Sequence, residues 1–189
     1  MSVGDMIPLL KMSDKQEFKY WYSLVPAALG WVGILASANG IRRLTLPQVS
    51  PAMAYACLEI STGDVCHEPT SWMPLDIEVR LERYFLGQQD VTFHDVLDVV
   101  GTAFQKMAWE VVRTVPWGET RSYTWVAHNI GFPRAARAVG QAMRANPVPF
   151  IVPCHRVIGR DGRLYGYGGK EGVGLKRKLL EMERGHRYW

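Results

Sequence analysis

Cysteine is scarce in this chain: 189 residues contain only Cys57, Cys66 and Cys154. An odd and small number excludes the disulfide framework of a small secreted domain and leads us to expect reduced thiols. Long apolar sequence is also missing. The longest run, Leu24 to Ala38, is interrupted by Pro26, Gly30 and Gly33, and it falls short of the roughly 18 uncharged residues expected of a membrane span. No basic start with a small-residue cleavage site precedes it, so no signal peptide is expected. Internal repeats and low-complexity stretches are absent. Cys57, Cys66, His67 and His94 fit no zinc spacing, so no metal is expected. Cys57 itself reads as a small core residue on an apolar helix face. The most local deficit is of negative charge: residues 121–163 hold seven arginines and one acid, Asp161.

That deficit belongs to a wider asymmetry. The chain carries 22 Lys+Arg against 18 Asp+Glu, a net charge of +4. Residues 1–100 hold 7 basic and 12 acidic side chains, a net of −5; residues 101–189 hold 15 and 6, a net of +9. A split of this size implies regions with different tasks, the basic one facing an anionic partner. Arginine rather than lysine in 121–163 favours fork-like contacts with phosphate or base edges. With 48% hydrophobic and 21% charged residues, the chain buries a real core, which excludes disorder. The expectation is a soluble intracellular protein without membrane contact, cytoplasmic (nuclear if the cell is eukaryotic).

The N-terminal half reads as mixed α/β. An apolar run, Trp31 to Ser37, is followed by Asn39-Gly40 and by an alternating segment, Ile41 to Leu46, the pattern of a hairpin. Pro51 to Ile60 reads as a helix with Met53, Ala56, Cys57 and Ile60 on one face. Leu75 to Leu86 reads as another, with Ile77, Leu81, Tyr84 and Phe85 on a stripe and Gly87 as its stop. Residues 1–18 show no period and are expected to be a loosely held arm.

The C-terminal half reads as helical. Thr102-Ala-Phe-Gln105 is a capping box, and Phe104, Met107, Ala108, Val111 and Val112 follow at helical spacing. A turn at Val115-Pro-Trp-Gly118 precedes a helix from about Ser122 to Gly131. Pro133 then opens a third, running to Asn146-Pro147. A helix, a short Gly-containing turn and a basic helix form a helix-turn-helix pattern. Residues 133–144 interleave Arg134, Arg137 and Arg144 with alanine and glycine, which let a backbone approach a narrow groove while arginines contact phosphates or bases. The same composition also suits a plain solvated amphipathic helix; the missing acids favour DNA. Beyond it, Pro147 to Gly159 delivers Cys154 with His155 directly after. A thiol becomes a strong nucleophile when a histidine or positive field favours the thiolate, although a bare Cys-His pair is common by chance.

Pro153-Cys-His-Arg-Val157, with Asn146-Pro147 before it, resembles the active-site signature of the O6-alkylguanine-DNA alkyltransferases, also called methylated-DNA–protein-cysteine methyltransferases. Phe104-Gln105, Pro116-Trp-Gly-Glu-Thr-Arg-Ser-Tyr123, Arg137-Ala-Val-Gly140, Gly166-Tyr-Gly-Gly169 and Leu179-Leu-x-x-Glu183 fall in family order. The resemblance is close over about residues 97–189 and loose over 20–90.

It implies an α+β fold: an N-terminal α/β (RNase H-like) domain over 1–96, then a mostly helical domain over 97–189 with a winged helix-turn-helix. It also implies direct-reversal DNA repair, in which an alkyl group moves irreversibly from O6 of guanine to Cys154, once per molecule and without a cofactor. O4 of thymine is a further candidate substrate atom. His155 would act as base through a water, and Glu183 (with Glu181 as the alternative) would hold the imidazole. Asn146 would tie the helix-turn-helix to the active-site segment, and Tyr123 would donate to guanine N3. The base must leave the stack to reach the thiol. Arg137 would fill the vacated space, while Ala135, Ala136 and Ala138 would face the minor groove. Arg134 and Arg144 would contact the strand. Met143 would pack at the groove and base, and Pro149, Val157, Tyr167 and Gly168 would line the alkylguanine pocket. The partner would be double-stranded DNA bearing the lesion, bound by a monomer. The Gly169–Gly174 segment is longer than the family pattern.

Two other readings compete. A non-enzymatic DNA-binding protein would need no reactive cysteine. A cysteine hydrolase would leave the Arg/Ala helix and the basic region without a role.

Overall fold

The computed structural model describes residues 19–60, 65–66, 76–167 and 172–185. Its architecture is α+β. Strand β1 (Tyr20–Ala27) pairs antiparallel with β2 (Gly30–Ser37), from Trp21 opposite Ala36 to Ala27 opposite Gly30. β2 pairs antiparallel with β3 (Gly40–Leu44), so the expected hairpin forms. Its two-residue loop is Ala38-Asn39, one position before the Asn-Gly pair, with Ser37 opposite Gly40. Gly40 is required there: its φ is 134°, and a Cβ would strike the carbonyl oxygen of Val96.

The sequence reading assigned no strand to 20–27, because Pro26 sits in an apolar run without alternation. Pro26 is tolerated because the other neighbour of β1, the short parallel strand β4 (Val65–Cys66), reaches only Tyr20 and Trp21. A missing N–H does no harm where no partner strand faces it.

Helix α1 (Pro51–Ala56) starts at Ser50, whose hydroxyl accepts from the Met53 N–H at 3.2 Å. It is shorter than expected, and its buried face is shifted. Ala54 and, just past the helix, Leu58 are buried, whereas Met53, Ala56 and Cys57 are exposed. Cys57 is therefore not a core residue. In contrast α2 (Ile77–Phe85) buries the expected stripe, Ile77, Leu81, Tyr84 and Phe85, and Gly87 follows with φ 76°. Spacings of three and four put those side chains on one face, and α2 packs on β1.

The C-terminal half begins with α3 (Ala103–Arg113), whose capping box is formed reciprocally by Thr102 and Gln105. Helix α4 (Tyr123–Asn129) is capped by Ser122, and α5 (Ala136–Arg144) follows after Gly131 with φ 81°. The start of α5 is later than Pro133: Pro133 and Arg134 lie in a turn closed by the Ala135 N–H on Phe132 O at 2.8 Å. α3, α4 and α5 pack on one another, and Trp109 Nε1 donates to Ala142 O at 2.8 Å. Two short parallel strands, β5 (Arg121–Ser122) and β6 (Val157–Ile158), flank α4 and a 3-10 turn, Cys154–Arg156. Helix α6 (Gly172–Glu183) closes the described chain. Among the described residues no helix is long and apolar enough to cross a membrane.

One buried core runs through both halves, from Val25 and Val32 through Tyr84 and Phe85 to Phe150 and Cys154. The backbone joins them too. Leu44 N–H donates to Pro147 O at 2.8 Å, and Ile41 exchanges hydrogen bonds with Val96 and Asp98. Phe150 carries φ 74°, a left-handed conformation costly for a residue with a Cβ. It is held by burial of its ring against Tyr84 at 5.5 Å and Phe85 at 5.0 Å.

Gly40→Ala tests the tight crossing of β3 with residues 96–98. It is expected to lower unfolding free energy by more than about 1 kcal/mol, measured by urea denaturation.

Candidate active site and nucleic-acid interface

Asn146 stands just past Ala145, the C-cap of α5, and organises the segment that carries the thiol. Its Oδ1 accepts from the Val148 N–H at 3.0 Å; its Nδ2 donates to Val152 O at 2.8 Å and to Cys154 Sγ at 3.1 Å. Both ends of the amide are used, so the loop between is held by one side chain. Cys154 is 5% exposed. Burial pushes its thiol up, and the Asn146 hydrogen bond and the Lys176 ammonium counter only part of that. At rest the sulfur therefore keeps its proton.

His155 is fully buried, and burial pulls its pKa down despite the neighbouring carboxylate, so the imidazole is neutral. Nε2 lies 2.8 Å from Glu183 Oε1, and Nδ1 has no protein partner. Glu183, in the last turn of α6, is more heavily bonded than a simple orienting group. Arg156 grips it bidentately (Nε to Oε2 and Nη2 to Oε1, both 2.9 Å), Tyr84 Oη donates to Oε1 at 2.9 Å, and the Gly118 N–H donates to Oε2 at 3.2 Å. Burial raises the carboxyl, but His155 and Arg156 more than offset this and hold it at about 2.

The thiol opens into a cleft of about 70 Å³ walled by Tyr123, Met143, Arg144, Asn146, Pro149, Tyr167 and Lys176. Lys176 stands two turns before Glu183 on α6 and is buried. Its Nζ donates to Val157 O at 2.6 Å and to Tyr123 Oη at 3.4 Å, and burial lowers its pKa to about 8. Tyr123 is pushed up to about 12 by burial, then by Cys154 and Tyr165, so its phenol remains a proton donor. Tyr167 is raised well above 10, by burial and then by Cys154 beside it.

Tyr123, Arg144 and Gly166 also wall a wider groove of about 680 Å³, together with Ala136, Arg137, Gly140 and Arg160. Small and basic side chains of α5 thus sit next to the mouth of the thiol cleft.

Most of the expected site residues converge. Cys154, His155, Glu183, Asn146 and Tyr123 come together, with Pro149 and Tyr167 in the cleft wall and Arg137, Ala136 and Arg144 at the groove. Met143 is 7% exposed and belongs to the thiol cleft rather than an outer surface. Ala138 and Arg134 are exposed and Ala135 is half-buried; all three stand outside the wall of that groove. Val157 is buried with its carbonyl engaged by Lys176, so it is not in the cleft wall. Gly168 lies outside the described residues, as do 169–171. Between the two carboxylates on α6, it is Glu183 that meets His155.

Three residues escaped the sequence reading. Arg156 stood inside the quoted signature without a role. Lys176 lies in Lys-Arg-Lys178, which reads as solvated charge. Tyr84 was read as core, and its hydroxyl reaches the site from α2.

A buried thiol next to an imidazole–carboxylate pair, opening on an arginine-walled groove, defines a cysteine nucleophile set beside an anion-binding face. Comparisons with known proteins give the family. The family model described as 6-O-methylguanine DNA methyltransferase, DNA binding domain, matches residues 103–185. A methylated-DNA–protein-cysteine methyltransferase of Mycobacterium leprae is 45% identical over 128 residues, 64% of this chain and 76% of the relative. The constitutive protein of that name from Bacillus subtilis is 45% identical over 164 residues, 87% of this chain and 95% of the relative. In fold, the Mycobacterium tuberculosis OGT crystallised with DNA superposes with a TM-score of 0.71 at 38% identity, covering 87% of this chain and 93% of that one. The chain belongs to the methylated-DNA–protein-cysteine methyltransferase family.

The Glu183 arrangement has a pH signature. Its carboxyl titrates near 2 when folded and near 4.5 when not. The stabilisation is therefore complete above about 4.5 and vanishes as pH falls through 2, worth on the order of 3 kcal/mol at neutrality. Glu183→Gln is expected to lose that much stability at pH 7 and to approach the parent chain near pH 2, as read by urea unfolding across pH.

Proposed function

We propose that this protein repairs DNA by direct reversal, moving an alkyl group from O6 of guanine to Cys154. The observation that carries the reading is the buried Cys154 thiol, hydrogen-bonded by Asn146 at 3.1 Å in a cleft that shares Tyr123, Arg144 and Gly166 with the groove along α5. His155, with Nε2–H on Glu183, leaves Nδ1 free to take the thiol proton through a water. The sulfur lone pair then forms an S–C bond as the C–O6 bond breaks, and that electron pair stays on O6. The departing guanine gains a proton at N3 from the Tyr123 phenol, with the Lys176 ammonium at 3.4 Å steadying the phenolate. The thioether is stable and nothing regenerates the thiolate, so each molecule acts once. Thiol, guanine and protons balance the reaction, so it calls for no cofactor.

In this reading α4 and α5 are a helix-turn-helix, and residues 157–166 form its wing. They meet lesion-bearing duplex DNA from the minor groove. Arg137 fills the space left by the flipped base, and Ala135, Ala136 and Ala138 allow close approach. Arg134 and Arg144 contact the strand, and Gly168 joins the pocket wall. The antiparallel β3-β2-β1 order with β4 parallel beside β1 supports an RNase H-like N-terminal domain over 1–96, with 97–189 carrying DNA binding and transfer. One chain supplies every group named, in keeping with a monomer. A reduced thiol suits the cytoplasm, or the nucleus of a eukaryotic cell. O4-alkylthymine is a second candidate substrate.

Intact mass after incubation with excess O6-methylguanine duplex is expected to rise by one methyl group per chain, on Cys154, and not at all for Cys154→Ala. Turnover beyond one equivalent, or methylation elsewhere, would falsify the mechanism.

Binding to DNA is expected to weaken linearly in log–log plots against salt, as phosphate contacts release counterions. Arg134→Ala should reduce that slope by about one. A slope near zero for the parent chain argues against the DNA face.

A further inference from the structure

Tyr84 belongs to α2, far in sequence from the thiol, yet its hydroxyl ends inside the base machinery. It is 1% exposed. Its Oη lies 2.9 Å from Glu183 Oε1 and 3.2 Å from His155 Nε2. Its ring is fixed from several sides, with Phe85 and Trp117 at 5.2 Å, Phe150 at 5.5 Å and Phe93 at 6.0 Å. A phenol held this rigidly cannot turn its oxygen elsewhere.

The three-way contact has one consistent proton arrangement. At 2.8 Å, Nε2 and Oε1 need a proton between them, since two lone pairs would repel. Nε2 is therefore the protonated nitrogen, and Tyr84 can donate only to Oε1. That donation, with the Arg156 fork and the Gly118 N–H, spreads the Glu183 charge over several donors. The carboxylate then holds the Nε2–H less tightly than a bare one would.

We propose that Tyr84 is a positioning residue for alkyl transfer: from the N-terminal half it shares the charge of Glu183 and, through it, sets how strong a base His155 is. This rests on the reading of His155 as the base for Cys154. Among the described residues, the charged and titratable groups facing His155 are Glu183 and Lys176 from α6, Arg156 and Cys154 beside it in the chain, Tyr84 from α2 and Tyr167. Of these, Tyr84 alone comes from the N-terminal half.

The experiment is the single-turnover rate of methyl transfer from O6-methylguanine duplex, followed by mass from low to neutral pH. Tyr84→Phe keeps the ring and removes the donor. Above the acid limb its rate is expected to rise by up to about tenfold, because Glu183 with one donor fewer makes His155 the stronger base. Its acid limb should move to higher pH, because an unshared Glu183 charge stabilises the imidazolium. Fluorotyrosine at position 84, bearing fluorine ortho to the hydroxyl, keeps the shape and donates more strongly. The acid limb should then move to lower pH, and this arm serves even where Tyr84→Phe folds poorly. In a Glu183→Gln background, Tyr84→Phe should change neither the rate nor the acid limb further, since both act through one group. A rate and pH profile equal to the parent would overturn the proposal. So would a slower rate with an unmoved acid limb and losses that add, the mark of a merely structural residue. A parent chain that transfers no methyl to Cys154 overturns the functional reading and this proposal with it.

Discussion

The Glu183 carboxylate is the point on which this molecule turns. It is buried, ionised and surrounded by four donor residues from three separate places: Tyr84 on α2, the Gly118 backbone, and His155 and Arg156 beside the thiol. A buried carboxylate without such partners would be driven to take a proton; with them it remains charged and draws its donors together. Arg156 also donates to Val115 O at 2.7 Å, tying the end of α3 to the same centre. One charge thus gathers α2, the turn after α3, the end of α6 and the segment that carries the thiol.

Around that centre, the resting state is kept unreactive. Burial raises Cys154 and lowers His155, so a proton moving from sulfur to imidazole goes uphill on both sides. Burial also keeps Tyr123 protonated, with a pKa near 12. The low-dielectric cleft that makes the thiolate rare also gives Asn146 and Lys176 more leverage on it once it forms. Restraint at rest and strength in reaction come from the same dryness.

What the sequence could reveal follows the range of the interactions involved. The α2 stripe, the α3 capping box and the β2–β3 hairpin are written in spacings of two to four residues, and they were legible. β1 was not, because Pro26 hides a strand whose partner is too short to need the missing N–H. The buried face of α1 was misread by a position, which put Cys57 inside when it is exposed. At the site, Cys154, His155, Asn146, Tyr123 and Glu183 were legible through a family signature rather than through any period. Tyr84 and Glu183 stand 99 residues apart, and no local pattern marks a core tyrosine whose hydroxyl has a task. Lys176 was hidden by charged neighbours, and Arg156 by standing next to more conspicuous residues.

Phe150 shows how one half of the chain constrains the other. Its left-handed backbone is tolerable only while its ring is seated against Tyr84 and Phe85. Both belong to α2, more than sixty residues earlier in the chain. The residue under constraint and the rings that hold it therefore lie in opposite halves of the chain. The cysteine four residues further on thus sits on a segment whose shape is set from the other half of the chain, and loosening α2 would loosen it.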